Sequence, residues 1–198
     1  MSQETIEVDY LVIGAGAMGM AFADIILSES DKTVLIVDMH QKPGGHWNDA
    51  YPYVTLHQPS AYYGVSSKEL SKGVIDTIGL NKGLQDLATG PEIMAYFDEV
   101  MRYQFLPTGR VSYLPMCKYE GDGKICALTS DKTYHVKVRE KVADATWLKT
   151  TVPSTHTPNF EVGDGVKLIP LNDLPKLTEQ PSRYVIDGGG KTGIDAVV

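Results

Sequence analysis

A chain of 198 residues can hold one domain with a sizeable core and the start of another. Its hydrophobic fraction of 42% and charged fraction of 22% are those of a globular protein in water. A net charge of -7 with no basic stripe excludes a nucleic-acid or anionic-membrane surface, because both need clustered Lys and Arg. Two cysteines, Cys117 and Cys126, do not make a disulfide framework, so a reducing, cytoplasmic setting is expected.

Met1 to Asp9 is acidic and polar, unlike a signal peptide. Tyr10 to Leu27 is apolar enough to suggest a membrane span, but Asp24 and three glycines interrupt it. A strand, a tight turn and a helix fit it better. Val8 to Ile13 is a short β-branched run, and Met18 to Ser28 keeps Met18, Ala21, Phe22, Ile25 and Ile26 at helical spacing. Between them stands Gly14-Ala15-Gly16-Ala17-Met18-Gly19. In such a turn Gly14 permits the tight bend, Gly16 lets backbone approach a pyrophosphate, and Gly19 lets helix and strand pack closely. The phosphates would face the free N–H groups at the helix start.

Lys32 to Asp38 predicts the next strand, and Asp38 ends it 24 positions after Gly14. That is close to the spacing of about 20 for a carboxylate that binds a ribose diol. Alone, Asp38 would be an ordinary solvated strand-end acid. After strand, turn, helix and strand, it completes a dinucleotide fingerprint. Pro43-Gly44-Gly45-His46-Trp47 and Tyr51-Pro52-Tyr53-Val54-Thr55-Leu56-His57-Gln58-Pro59-Ser60 follow. Gly44 and Gly45 would allow backbone to pass close to a cofactor. Trp47 reads either as an apolar wall of a site or as a core aromatic. His57 reads either as a proton donor near neutral pH or as a packed, satisfied histidine.

Ser66 to Thr89 is a loop-rich excursion. Pro91 to Gln104 predicts a helix whose Ile93, Met94, Phe97, Val100 and Met101 form a core stripe. From Arg110 to Thr146, short alternating runs at Val111 to Leu114, Ile125 to Leu128 and His135 to Val138 predict an antiparallel meander. Cys117 and Cys126 fall on neighbouring predicted strands as small core residues. They form no Cys-x-x-Cys pair, which excludes a dithiol reductase. Thr151 to Pro175 is rich in Pro, Thr, Asn and Asp and reads as an ordered linker.

Tyr184-Val185-Ile186 then predicts a strand leading into a second glycine run, Gly188-Gly189-Gly190-Lys191-Thr192-Gly193. A full βαβ unit needs roughly 30 residues, and only ten follow Gly188. The expectation is the front part of a redox enzyme, unable to turn over alone. Asp187 beside the turn would repel phosphate unless Lys191 or solvent offsets it.

The Gly-Gly-x-Trp element and the Tyr-Pro…Pro-Ser stretch resemble those of two-dinucleotide flavoproteins, in particular flavin-containing and Baeyer–Villiger monooxygenases. The resemblance implies a three-layered α/β fold: a Rossmann-like FAD domain of glutathione-reductase-like topology with an inserted meander. It implies FAD at Gly14, Gly16, Gly19, Asp38, Gly45, His46, Trp47, His57 and Gln58, with backbone at Met116 and Cys117 near the adenine. NADPH or NADH would bind at Gly188, Gly190 and Gly193.

The expected division is an FAD-binding domain over 1–182, with its meander at about 110–146 and linker at about 151–182, and the beginning of an NAD(P)-binding domain over 183–198. The expected function is an FAD- and NAD(P)H-dependent oxidoreductase, monooxygenase-like, acting on a small lipophilic substrate, with His57 as the candidate catalytic residue. No metal, membrane or nucleic-acid partner is expected. Three positions depart from the family: His57 stands where the Baeyer–Villiger pattern has an acid, and no histidine follows Phe160-Glu161-Val162-Gly163. Trp147 stands where glycine usually closes Ala-Thr-Gly. A flavin-binding protein without turnover and a plain NAD-dependent dehydrogenase are the alternatives.

Overall fold

The computed structural model describes residues 4–146 and 152–197. Trp147 and Thr151 lie outside the described residues. Strand β1 (Glu4–Ile13) leads through the glycine turn into helix α1 (Ala17–Glu29) and strand β2 (Val34–Val37). Two two-residue strands, β3 (Gly64–Val65) and β4 (Lys68–Glu69), pair with each other in the excursion before helix α2 (Gly90–Glu99). Strands β5 (Val111–Leu114), β6 (Cys117–Gly121), β7 (Lys124–Ala127) and β8 (Thr133–Asp144) follow, and a short helix α3 (Lys191–Asp195) closes the described chain.

One six-stranded sheet organises the molecule, in the order β5-β2-β1-β8-β7-β6. The first four strands of that order run parallel, and β8, β7 and β6 are antiparallel. All four residues of β2 are buried, as a parallel strand covered on both faces requires. Side chains alternate across the sheet. Val12, Val34 and Ile36 join Met20 and Ala23 of α1 and Ile93 and Phe97 of α2 in one core. Leu11, Leu35 and Val37 pack with Cys117, Ile125 and Val136 of the meander in a second.

Helix α2 has a sharp start. The Thr89 hydroxyl accepts the Glu92 N–H at 3.4 Å, Glu92 Oε2 accepts the Thr89 N–H at 2.7 Å, and Pro91 stands in the first turn. The predicted helix Pro91 to Gln104 is two pieces, because after Glu99 the chain widens into a π-helical turn, Val100–Phe105. Asp24, a buried acid on α1, takes the backbone N–H of Ser67 at 2.9 Å and the Ser67 hydroxyl. Its burial is therefore satisfied. Among the described residues no helix is long and apolar enough to cross a membrane.

Two strand assignments differ from the sequence reading. Val111–Leu114 is not a meander strand; it pairs in parallel with β2 and forms the outer edge of the Rossmann-like half. A half-buried alternating tetrapeptide has the same pattern on a parallel edge as in an antiparallel hairpin, and only tertiary pairing separates them. The meander consists of β6, β7 and the first part of β8, which runs on to pair with β1. Tyr184 to Ile186 is exposed and carries no strand ladder, since neither edge of the sheet takes it up.

Candidate dinucleotide site

The glycine turn lies where the strand order reverses, between the carboxyl ends of β1 and β8, the usual position of a ligand crevice in an open α/β sheet. Gly14 has φ +100, a conformation that disfavours any residue with a Cβ, and a Cβ there would sit 3.1 Å from Thr146 Cγ2. Ala145 ties the end of β8 to β1 through its N–H on the Ile13 carbonyl at 2.9 Å. A Cβ on Gly19 would collide with the Gly14 carbonyl oxygen, so the helix can approach the turn only as glycine. Gly16 caps α1 in extended conformation, with no side-chain cap and no acid in the first turn. The N-terminus of α2 is closed by its capping box; that of α1 is open.

Gly44 and Gly45 cross directly over this turn. The Gly44 N–H bonds the Ala15 carbonyl at 2.8 Å, and a Cβ on Gly45 would lie 2.9 Å from the Gly16 Cα. Their φ angles of +127 and +58 are again glycine conformations. Asp38 is 6% exposed and reaches under the crossing, where its Oδ2 accepts the Ala15 N–H at 2.5 Å. Its Oδ1 accepts the His40 N–H at 2.7 Å and faces His40 Nδ1 at 2.9 Å.

His40, which the sequence reading passed over, faces a second acid with its other nitrogen: Nε2 is 2.8 Å from Asp49 Oδ2. The hydrogen bond that the ring donates to Asp38, with the weaker one to Asp49, raises the imidazole pKa to about 9 against the opposing effect of burial. The backbones of Met116 and Cys117 adjoin this corner, their N–H groups bonding the carbonyls of His40 (3.1 Å) and Asp38 (2.9 Å). The Cys117 thiol turns away into the second core, where burial pushes its pKa up.

From the crossing the chain enters a 3-10 turn, Gly45–Asp49. His46 stacks on Trp47 at 5.2 Å, and Trp47 Nε1 donates to the Tyr63 hydroxyl at 2.7 Å. Trp47 thus has a polar anchor as well as an apolar surface. A cleft of about 320 Å³ opens here, walled by His46, Trp47, Tyr51, Leu56, His57 and Gln58. Ser60, fully buried, braces that wall: its hydroxyl accepts the Ala88 N–H at 2.7 Å and donates to the Asp86 carbonyl at 2.9 Å. His57 is exposed on the cleft rim.

The second glycine run repeats the first in conformation. Gly188 has φ +122, Gly190 caps α3 at φ -78 and ψ 175, against -79 and -176 for Gly16, and a Cβ on Gly193 would collide with the Gly188 carbonyl oxygen. Lys191 does not lean toward Asp187. Its ammonium bonds the Thr55 carbonyl at 2.7 Å and pairs with Asp195, and Tyr51 donates to Asp195 Oδ2 at 2.6 Å. The second turn is thereby fastened to the wall of the first cleft.

Residues 12–100 match the family model described as NAD(P)-binding Rossmann-like domain. An uncharacterized protein of Mycobacterium tuberculosis is 52% identical over 192 residues, covering 97% of this chain and 35% of the relative. A ferredoxin–NADP reductase of Parvibaculum lavamentivorans is 36% identical over 76 residues, covering 38% of this chain and 22% of that protein. Among solved structures, the polycyclic ketone monooxygenase of Thermothelomyces thermophila aligns with a TM-score of 0.50 at 16% identity, covering 74% of this chain and 24% of its own. The class is therefore a Rossmann-like α/β domain, a fold shared with part of that monooxygenase. The chain spans about a third of the length of the mycobacterial relative.

Proposed function

We propose that the chain is the flavin-binding part of an FAD-dependent oxidoreductase that takes electrons from NADPH or NADH. The observation that carries this reading is the crossing of Gly44 and Gly45 over the Gly14–Gly19 turn, with Asp38 beneath it and the apolar cleft beyond it. A Cβ at Gly14, Gly19 or Gly45 would press against neighbouring atoms, and Gly16 lies in contact with Gly45, so these four glycines form a cradle in which backbone comes close to the turn. The open N-terminus of α1 adds donors and a positive dipole end for an anion. These residues fit a dinucleotide pyrophosphate.

In this assignment Gly14, Gly16, Gly19 and Gly45 hold the pyrophosphate, and Asp38 accepts from the adenosine ribose. Met116 and Cys117 border the adenine end, and His46, Trp47, His57 and Gln58 wall the cleft for the ring system. The flavin, when bound, supplies electron transfer from NAD(P)H to oxygen or to an organic acceptor. The protein's own part is to orient the ring between the Trp47 wall and the Tyr51–Ser60 segment and to exclude water from it. Gly188, Gly190 and Gly193 are assigned to the nicotinamide dinucleotide. A small lipophilic substrate and monooxygenation are the finer reading, with His57 on the cleft rim as the group within reach of a proton. Because the chain matches only part of its relatives, turnover is assigned to the whole protein.

The test is the visible spectrum of the purified full-length protein supplied with FAD and then with NADPH or NADH. Retained flavin absorbance that bleaches with one nicotinamide is the expected result. Retained flavin that never bleaches would leave a flavin-binding protein without turnover, and a colourless protein that binds NAD would leave a dehydrogenase.

A further inference from the structure

His40 touches both arms of the dinucleotide cradle and no core. It sits two residues beyond the ribose acid, at the end of β2, with its side chain directed at the 3-10 turn that follows the Gly44–Gly45 crossing. Both ring nitrogens face a carboxylate oxygen, Nδ1 at 2.9 Å from Asp38 and Nε2 at 2.8 Å from Asp49. An ionised carboxylate can only accept a hydrogen bond, so both contacts are made only when both nitrogens carry protons. A neutral ring would turn a lone pair toward one of the two acids.

The partners are held in place from behind. Asp38 is fixed by the Ala15 N–H of the glycine turn. The Asp49 carbonyl accepts from the Asn172 amide at 2.9 Å and from the Ser154 hydroxyl at 3.3 Å. The His40 carbonyl accepts from Met116 at the adenine end.

We propose that His40, as an imidazolium, is the positioning residue of the first dinucleotide site, clamping the ribose acid Asp38 to Asp49 and so holding the Gly44–Gly45 crossing closed over the phosphate turn. The ligand in this proposal rests on the flavin reading above; the clamp itself does not. A consequence is that retention of the dinucleotide depends on protonation of a residue that need not touch it. The groups facing His40 are few. Asp38 comes from β2, Asp49 and the His46 ring from the 3-10 turn, and Tyr113 of β5 faces Asp38 with a phenol that burial keeps protonated.

The sign follows from the raised pKa. An unfolded histidine titrates near 6.5 and this one at about 9. The clamp's contribution is therefore complete below pH 6.5 and is lost as the pH rises through about 9.

The test compares the parent chain with His40→Gln, which is neutral and whose donors sit on a single nitrogen, its amide oxygen being unable to donate to the second acid, and His40→Arg, which carries a permanent charge able to bridge two acids. FAD affinity is measured by flavin fluorescence from pH 6.5 to 10. The parent should weaken about tenfold across that range, the expected scale for losing a charge-assisted bond. His40→Gln should be weak and flat, and His40→Arg tight and flat. A second readout needs no flavin: amide exchange at Gly45–Asp49, at one neutral pH, should be faster in His40→Gln than in the parent and restored in His40→Arg. Should the chain fail to bind FAD while this exchange pattern holds, the flavin reading falls and the clamp stands. A parent affinity flat in pH, or exchange at Gly45–Asp49 equal in all three proteins, overturns the clamp.

Discussion

Gly45 lies against Gly16: a Cβ on Gly45 would come within 2.9 Å of the Gly16 Cα, too close to stay, whereas one on Gly16 would meet the Gly45 Cα at 3.4 Å, an ordinary contact. The two substitutions are not equivalent. Gly45 also has φ +58, so alanine there is strained whatever the space, whereas Gly16 is extended. Gly45→Ala should cost about 2 kcal/mol in urea unfolding and Gly16→Ala less than about 1 kcal/mol. Both should weaken FAD binding. Equal destabilisation would show that the crossing opens freely to admit a methyl group.

A larger cost is expected at Gly19. Its Cβ would fall on the Gly14 carbonyl oxygen and press on Val12, both fixed in the buried strand–turn junction. Overpacking against backbone that cannot move costs about 3 kcal/mol or more. Gly193→Ala meets the same local obstacle at the Gly188 oxygen, but Gly188 to Gly190 are exposed and can shift. Denaturation midpoints should therefore fall far more for Gly19→Ala than for Gly193→Ala. The reverse order would mean that the second turn is the more tightly held.

Asp38 has two duties in the structure, and they predict two losses. Asp38→Ala strands the Ala15 N–H and one face of His40, a stability loss of about 1–3 kcal/mol for a buried donor left unpaired. It also removes the acceptor assigned to the ribose, which should weaken FAD by about 1.5–3 kcal/mol, ten- to a hundredfold. Calorimetric unfolding and flavin titration separate the two. Lost stability with unchanged flavin affinity would make Asp38 a structural acid only.

The first βαβ unit was legible in the sequence because its signals are local. Strand, turn, helix and acid occur within Val8 to Asp38, and each has a periodicity or a glycine that the geometry demands. His40 was not legible, because its role depends on Asp49 being brought back to the end of β2 by the Gly44–Gly45 crossing, a tertiary event. Val111–Leu114 was misplaced for a related reason, since its alternation is compatible with two partners and only β2 decides between them. Sequence proximity offers Lys191, or solvent, as the offset to Asp187 beside the second turn. In the structure the long Lys191 side chain reaches the Thr55 carbonyl, 136 positions earlier in the chain.

That reach supplies the last prediction. Lys191 and Tyr51 converge on one carboxylate, Asp195, and Lys191 also lies 5.9 Å from the Tyr51 ring centroid. Removing either leaves Asp195 with the other; removing both leaves it with neither. Lys191→Met and Tyr51→Phe should therefore be non-additive in unfolding free energy. The coupling should be about 0.5–1 kcal/mol, kept small because the lysine side chain is 31% exposed and partly screened by solvent. In Lys191→Met the amides of Lys191–Asp195 should exchange faster, because the fastening to Thr55 is gone. A double-mutant cycle with zero coupling, together with unchanged exchange in α3, would show that the second turn holds its place without the cleft wall.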